Sequence, residues 1–160
     1  MRKIDIYSHI MPRRYLELMK EHARDPGLVK RMSNLRMLWD MDARMEMLSQ
    51  WPEVQQVLTL ALPPPEALGN ADQSPGFARV ANDDMAAIVA RSPKVFPAFV
   101  ATLPMNNVPA ALEEMDRAVT TLGARGIQVT TSVNGRPLDD PEFFPVFERA
   151  TRVHGIPVWM

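Results

Sequence analysis

The 160-residue chain contains no cysteine, which excludes disulfides, thiolate metal sites and a cysteine nucleophile together. It has no apolar run near the roughly 18 residues of a membrane span, and its first residues show a strand pattern rather than the apolar stretch of a secretory leader. An excess of one charge is missing too. The 18 Lys and Arg against 19 Asp and Glu leave a net charge of -1, and only Arg13, Arg14, Lys20 and Arg24 form even a loose basic group. The extended positive footprint of a nucleic-acid binder is therefore absent, and the expected setting is cytoplasmic, with neither nucleic acid nor membrane as partner. No Gly-x-Gly-x-x-Gly turn follows the first strand, so the phosphate cradle of a dinucleotide-binding sheet is lacking as well.

What is present reads as one folded domain, since 46% hydrophobic and 23% charged residues suit an ordinary globular core. IDIYSH, residues 4 to 9, alternates as a strand should, with Asp5, Tyr7 and His9 on one face and Ile4, Ile6 and Ser8 on the other. A mixed, partly helical excursion follows over residues 13 to 38. Helical spacing returns in DMDARMEMLSQW, over about residues 41 to 51, with Asp40 or Asp42 placed to cap it. Further strands are expected at 54 to 62, 95 to 103 and 125 to 131, and helices at 81 to 91, 111 to 123 and 139 to 155. IPVWM, the last five residues, starts a fifth strand.

Regular strand and helix alternation calls for parallel strands with right-handed crossovers. Without the glycine-rich turn, the closed barrel is favoured over the open sheet. An eight-stranded barrel typically takes about 250 residues, so these 160 hold only about four and a half strand-helix units. The fold expected is α/β, the N-terminal half of a TIM (β/α)8 barrel. Residues 1 to 160 form a single partial domain that stops within strand 5, either cut short or completed by a partner. In such a barrel the chemistry sits at the C-terminal strand ends, which here offer Tyr7, Ser8 and His9, Pro63, Asn106 and Asn107, and Thr130 and Thr131.

IDIYSHIMP resembles the first-strand motif of the amidohydrolase superfamily, in the branch that includes aminocarboxymuconate-semialdehyde decarboxylase and related nonoxidative decarboxylases. That motif runs roughly Ile-Asp-x-His-x-His-x-x-Pro. DARMEMLSQWPEVQQVLTL, NDDMAAIVARSPKVFPAFVATLPM and ALEEMDRAVTTLGARGIQVTTSVNGRPLDDPEFFPVFERA resemble the branch's following segments in order. The resemblance implies a divalent metal, with zinc as the first expectation, and His9 as one of its ligands. Imidazole nitrogen suits such an ion. Tyr7 stands where the family has histidine or, in some decarboxylases, glutamate. A neutral phenol with a pKa near about 10 ligates poorly, so Tyr7 is read as lining the mouth and binding substrate.

Arg44 matches an arginine that, by resemblance, engages a substrate carboxylate through its planar fork. The plainer alternative pairs it with Asp40 one turn earlier. Asp5 is expected to be a structural acceptor, and His22 and His154 to be exposed on helices. The activity implied is metal-dependent loss of carbon dioxide from an unsaturated or aromatic carboxylic acid, with a hydrolase of the same superfamily or a noncatalytic half-barrel as alternatives. The catalytic proton-transfer residues are expected beyond Met160, leaving this chain inactive by itself. The expected partner is a small carboxylate, and the expected assembly a homodimer.

Overall fold

The computed structural model describes residues 1–160. Strand β1 (Lys3–Ile10) lies parallel to β2 (Val54–Leu60), and their register slips between Asp5 and Ser8. There Ile6 and Tyr7 together face Val57, a bulge that Asp5 closes by accepting the Tyr7 N–H at 3.0 Å. Asp5 thus has the structural role its position suggested. Beyond the bulge Ser8 and Ile10 turn into the protein, while Tyr7 and His9 stay exposed on the opposite side. Ile4 and Ile6 are exposed at 55% and 58%, so the expected apolar face is covered only from Ser8 onward.

The excursion after β1 resolves into α1 (Arg13–His22), α2 (Pro26–Asn34) and α3 (Arg36–Trp39), and then α4 (Met41–Ser49) leads back to β2. Asp40 caps α4 by accepting the Ala43 N–H at 3.1 Å and also holds Arg36. Its pairing with Arg44 does not occur. After β2 come α5 (Pro65–Leu68) and α6 (Ser74–Arg91), which starts seven residues before the helix expected from its alanine-rich part, with a proline in its first turn.

The third barrel strand is interrupted at Val100. Its first piece, β3 (Ala98–Phe99), pairs with β2, and its second, β4 (Ala101–Thr102), pairs with β5 (Ile127–Gln128) across the crossover helix α7 (Val108–Thr120). A short antiparallel hairpin, β6 (Ser132–Val133) and β7 (Arg136–Pro137), follows β5; Asn134 and Gly135 turn it with positive φ, the Asn-Gly signature of a tight hairpin. Helix α8 (Phe144–Glu148) winds on through the wider turn Arg149–Val153 into β8 (Val158–Trp159), which pairs parallel to β5. Gly126 is required at that junction, because a Cβ there would stand 2.5 Å from the Trp159 ring.

Five barrel strands, with the third in two pieces, therefore run parallel with helical crossovers, giving the α/β half-barrel expected. One core of 19 residues, including Tyr15, Met85, Phe96 and Phe99, lies under β1 and β2. A second of 11, including Met105, Ile127 and Phe143, lies under β5 and α7. Buried Asn82 of α6 links them: it accepts the Thr102 N–H at 2.9 Å and donates to Thr102 O at 2.9 Å and to Glu114 at 2.8 Å. No helix is long and apolar enough to cross a membrane.

Candidate active-site mouth

His9 stands near the C-terminal end of β1, and its Nδ1 lies 2.8 Å from Thr59 Oγ1 of the neighbouring strand. Partial burial lowers its pKa, against the pull of Asp5 and of a hydrogen bond to the Leu60 backbone, so the ring is neutral near pH 7. Tyr7 meets it edge to face at 5.1 Å between ring centroids. The Tyr7 hydroxyl donates to Met160 O at 2.8 Å, and Trp159 Nε1 donates to Ile6 O at 2.8 Å. Strands β1 and β8 thus meet through the Tyr7 and Trp159 side chains.

Arg44 lies on the other side of β1. Its guanidinium donates to Gln56 Oε1 at 2.9 Å, to the carbonyls of His9 and Met37 at 2.8 and 3.1 Å, and to Ser8 Oγ at 2.7 Å. The residue is 5% exposed, and burial lowers its pKa to about 10 while Asp5 works in the opposite direction. The fork expected to meet a substrate carboxylate is instead spent on the protein, fixing the backbone of His9 from behind.

The other strand ends are mostly committed to loop structure. Asn107 caps α7 through the Ala110 N–H at 3.1 Å and donates to Ala71 O at 2.8 Å, and Asn106 donates to Gly69 O at 3.0 Å. His22 packs on Phe77 at 4.9 Å between ring centroids. His154, expected to be exposed, is instead held by Asp116, with 2.6 Å between Nε2 and Oδ1.

One buried acid at the mouth escaped sequence reasoning. Glu66, just after β2, is 4% exposed; burial pushes its pKa up to about 7, against hydrogen bonds from its own N–H, the Thr130 hydroxyl and the Met105 N–H. Its Oε2 has no partner, and neither does Gln128 Oε1. Both residues line one cavity of about 10 Å³ between the ends of β2, β4 and β5. The rule placing chemistry after barrel strands pointed to this loop through Pro63, but nothing local marks Glu66, whose partner Thr130 lies 64 residues away.

The sequence matches the amidohydrolase family over residues 4–160. The chain belongs to that family. Among curated proteins it is 28% identical to 2-amino-3-carboxymuconate-6-semialdehyde decarboxylase of Dictyostelium discoideum, over 94% of this chain and 46% of that protein. The crystal structure of 5-carboxyvanillate decarboxylase from Sphingomonas paucimobilis superposes with a TM-score of 0.86 at 25% identity, over 98% of this chain and 50% of the other. A dihydroxybenzoic acid decarboxylase from Polaromonas sp. JS666, with bound manganese and the inhibitor 2-nitroresorcinol, superposes with a TM-score of 0.77 at 26% identity, covering 98% and 48%. This amidohydrolase chain spans about half the length of the relatives it matches.

The manganese in that relative raises the question of what this chain offers a metal. No three of its histidines, aspartates and glutamates gather. His9 provides one nitrogen, and the Tyr7 hydroxyl is engaged with Met160 O. These residues do not complete a metal site by themselves.

Proposed function

We propose that this amidohydrolase chain supplies the β1 to β8 part of the mouth of a nonoxidative decarboxylase acting on an aromatic or unsaturated carboxylic acid. The observation that carries the reading is His9, kept neutral by partial burial at the end of β1 and set against Thr59 Oγ1, in a chain matched by decarboxylases over nearly all its length. His9 serves as one donor to a divalent ion, manganese or zinc, whose other ligands lie outside residues 1–160. Tyr7 lines the substrate space beside it. Arg44 is a positioning residue: it holds the carbonyl of His9 and the hydroxyl of Ser8, and so sets where the imidazole projects. Residues 1–160 act as one partial domain, with a homodimer as the expected assembly and the cytoplasm as the expected compartment.

Metal content and mass in solution test this reading, on the 160-residue chain and on any longer form of it, alongside carbon dioxide release from a panel of hydroxybenzoates. The expected result is about one divalent ion per longer chain, lost in His9→Ala, with carbon dioxide released and no water consumed. Two product fragments with water added point to a hydrolase of the same family instead. The engaged Tyr7 hydroxyl favours a second reading, a noncatalytic binding half-barrel. A metal-free, inactive longer form that still binds a small carboxylate establishes it.

A further inference from the structure

The cavity beside Glu66 poses a problem of hydrogen-bond accounting. Glu66 Oε2 and Gln128 Oε1 are both buried and both without a partner, and both residues line the same space. A buried acceptor left unmade costs about 1 to 3 kcal/mol, so two around one cavity call for a shared donor. Turning the Gln128 amide over does not remove the problem. Its Nε2 donates to Leu60 O at 3.1 Å, and a flipped amide would set two carbonyl-type oxygens against each other there. The cavity, about 10 Å³, has room for about one water molecule.

We propose that Glu66, Gln128 and one water bridging them form a proton-holding site at the barrel mouth. With Glu66 ionised, the water donates one hydrogen to Glu66 Oε2 and the other to Gln128 Oε1. With Glu66 neutral, its hydroxyl donates to the water, which still donates to Gln128. Glu66 Oε2 and Gln128 Oε1 each keep a partner in both states, so the site accommodates gain or loss of a proton without rearrangement. On its other side Glu66 borders a polar groove of about 490 Å³, lined also by His22, Arg24, Asn70, Asn106 and Asn134. Solvent in the groove can therefore restore the proton to Glu66.

In a transfer, the Glu66 O–H bond breaks as the water gains that proton. The water passes one of its own to a basic centre of a molecule in the mouth, leaving a carboxylate to be reprotonated from the groove. The titratable and charged groups facing Glu66 are few. Tyr15 of α1 is buried nearby and donates to Pro63 O at 2.9 Å; His22, at the end of α1, and Arg24, just after it, stand across the groove. From β5 and its following loop it meets the neutral Gln128 and Thr130, and after β4 the Met105 backbone. Its tie to the hairpin is through Asn134, which donates to Glu66 O at 3.0 Å. The site stands whatever reaction the mouth performs.

Carbon-13 NMR of glutamate-labelled chain, with Glu66→Gln to identify the resonance, follows the proton, and crystal structures at pH 5.5 and 8.5 locate the water. The expected results are a Glu66 midpoint near neutrality, more than a hundredfold weaker as an acid than a free glutamate, and one water in contact with Glu66 Oε2 and Gln128 Oε1 at both pH values. Gln128→Leu, which keeps Glu66 but removes the second acceptor and loosens the water, should raise the midpoint further. A midpoint in the ordinary carboxylate range, a dry cavity, or a midpoint unmoved in Gln128→Leu overturns the proposal.

Discussion

The two faces of β1 are built on opposite plans. On the helix-covered face, Ser8 and Ile10 are buried and Arg44 spends its donors on four acceptors drawn from β1, β2 and α3. On the mouth face, Tyr7 and His9 are exposed; the Tyr7 hydroxyl makes one hydrogen bond, and the His9 ring meets only Thr59 and the Leu60 backbone. The contrast separates two tasks that one short strand performs. Many bonds on the hidden side fix the backbone, which leaves the open side free to present rings that need not support the fold.

The sharpest way to break this comparison is Arg44→Met, which keeps much of the apolar stem while removing every guanidinium bond. Gln56 Oε1, the Ser8 hydroxyl and the carbonyls of His9 and Met37 then lose a charged donor in a buried setting. The expected loss, read from urea denaturation, is about 4 kcal/mol, several times an ordinary surface change. Arg44→Lys should recover only part of it, because one ammonium cannot reproduce the planar fork. A loss below about 1 kcal/mol in Arg44→Met would show that the hidden face is not what fixes β1.

A second test concerns the mouth, where Glu66 departs from the lightly bonded pattern. Its folded pKa of about 7 lies above the unfolded value of 4.5, so between these values the native state binds more protons than the unfolded one. Its contribution to stability is complete below about pH 4.5 and is lost as pH rises through 7. The span corresponds to roughly 3 kcal/mol. Glu66→Gln should flatten this part of the pH profile and be the more stable protein at pH 8. A wild-type profile level between pH 5 and 8, or one unchanged by the substitution, would mean that the acid is not held neutral by its surroundings.

The half-barrel was legible because strand-length apolar runs, amphipathic helices and breakers alternate along the whole chain, and each signal is local. The Asp40 cap could be read in the same way, and the Asn-Gly hairpin signal was equally local, although it was missed. The roles of Arg44, His154 and Glu66 were not legible, because their partners lie far along the chain. Arg44 is defined by Ser8 and Gln56, His154 by Asp116, and Glu66 by Gln128 and Thr130. An arginine in a helix reads as solvated or substrate-bound until β1, β2 and α3 are seen to supply its four acceptors. The bulge at Ile6 and Tyr7 was hidden for a related reason, since it exists only in the register against β2.

The smallest expected effect belongs to Tyr7, and it tests the comparison from the mouth side. Tyr7→Phe removes one exposed hydroxyl bond, to Met160 O, and leaves the ring against His9. Water can satisfy the freed Met160 oxygen, so the stability change should stay below about 1 kcal/mol. A loss comparable to that of Arg44→Met would make the Tyr7 contact a structural tie between the first and last strands, and the mouth face would then share the work of holding the fold. Tyr7→His is the complementary change, because it replaces a poor ligand by an imidazole beside His9. If His9 donates to a metal, this substitution should tighten manganese or zinc binding measurably by calorimetry while costing the fold little. Unchanged affinity would separate His9 from metal binding and leave Tyr7 and His9 as a pair of rings lining a binding surface.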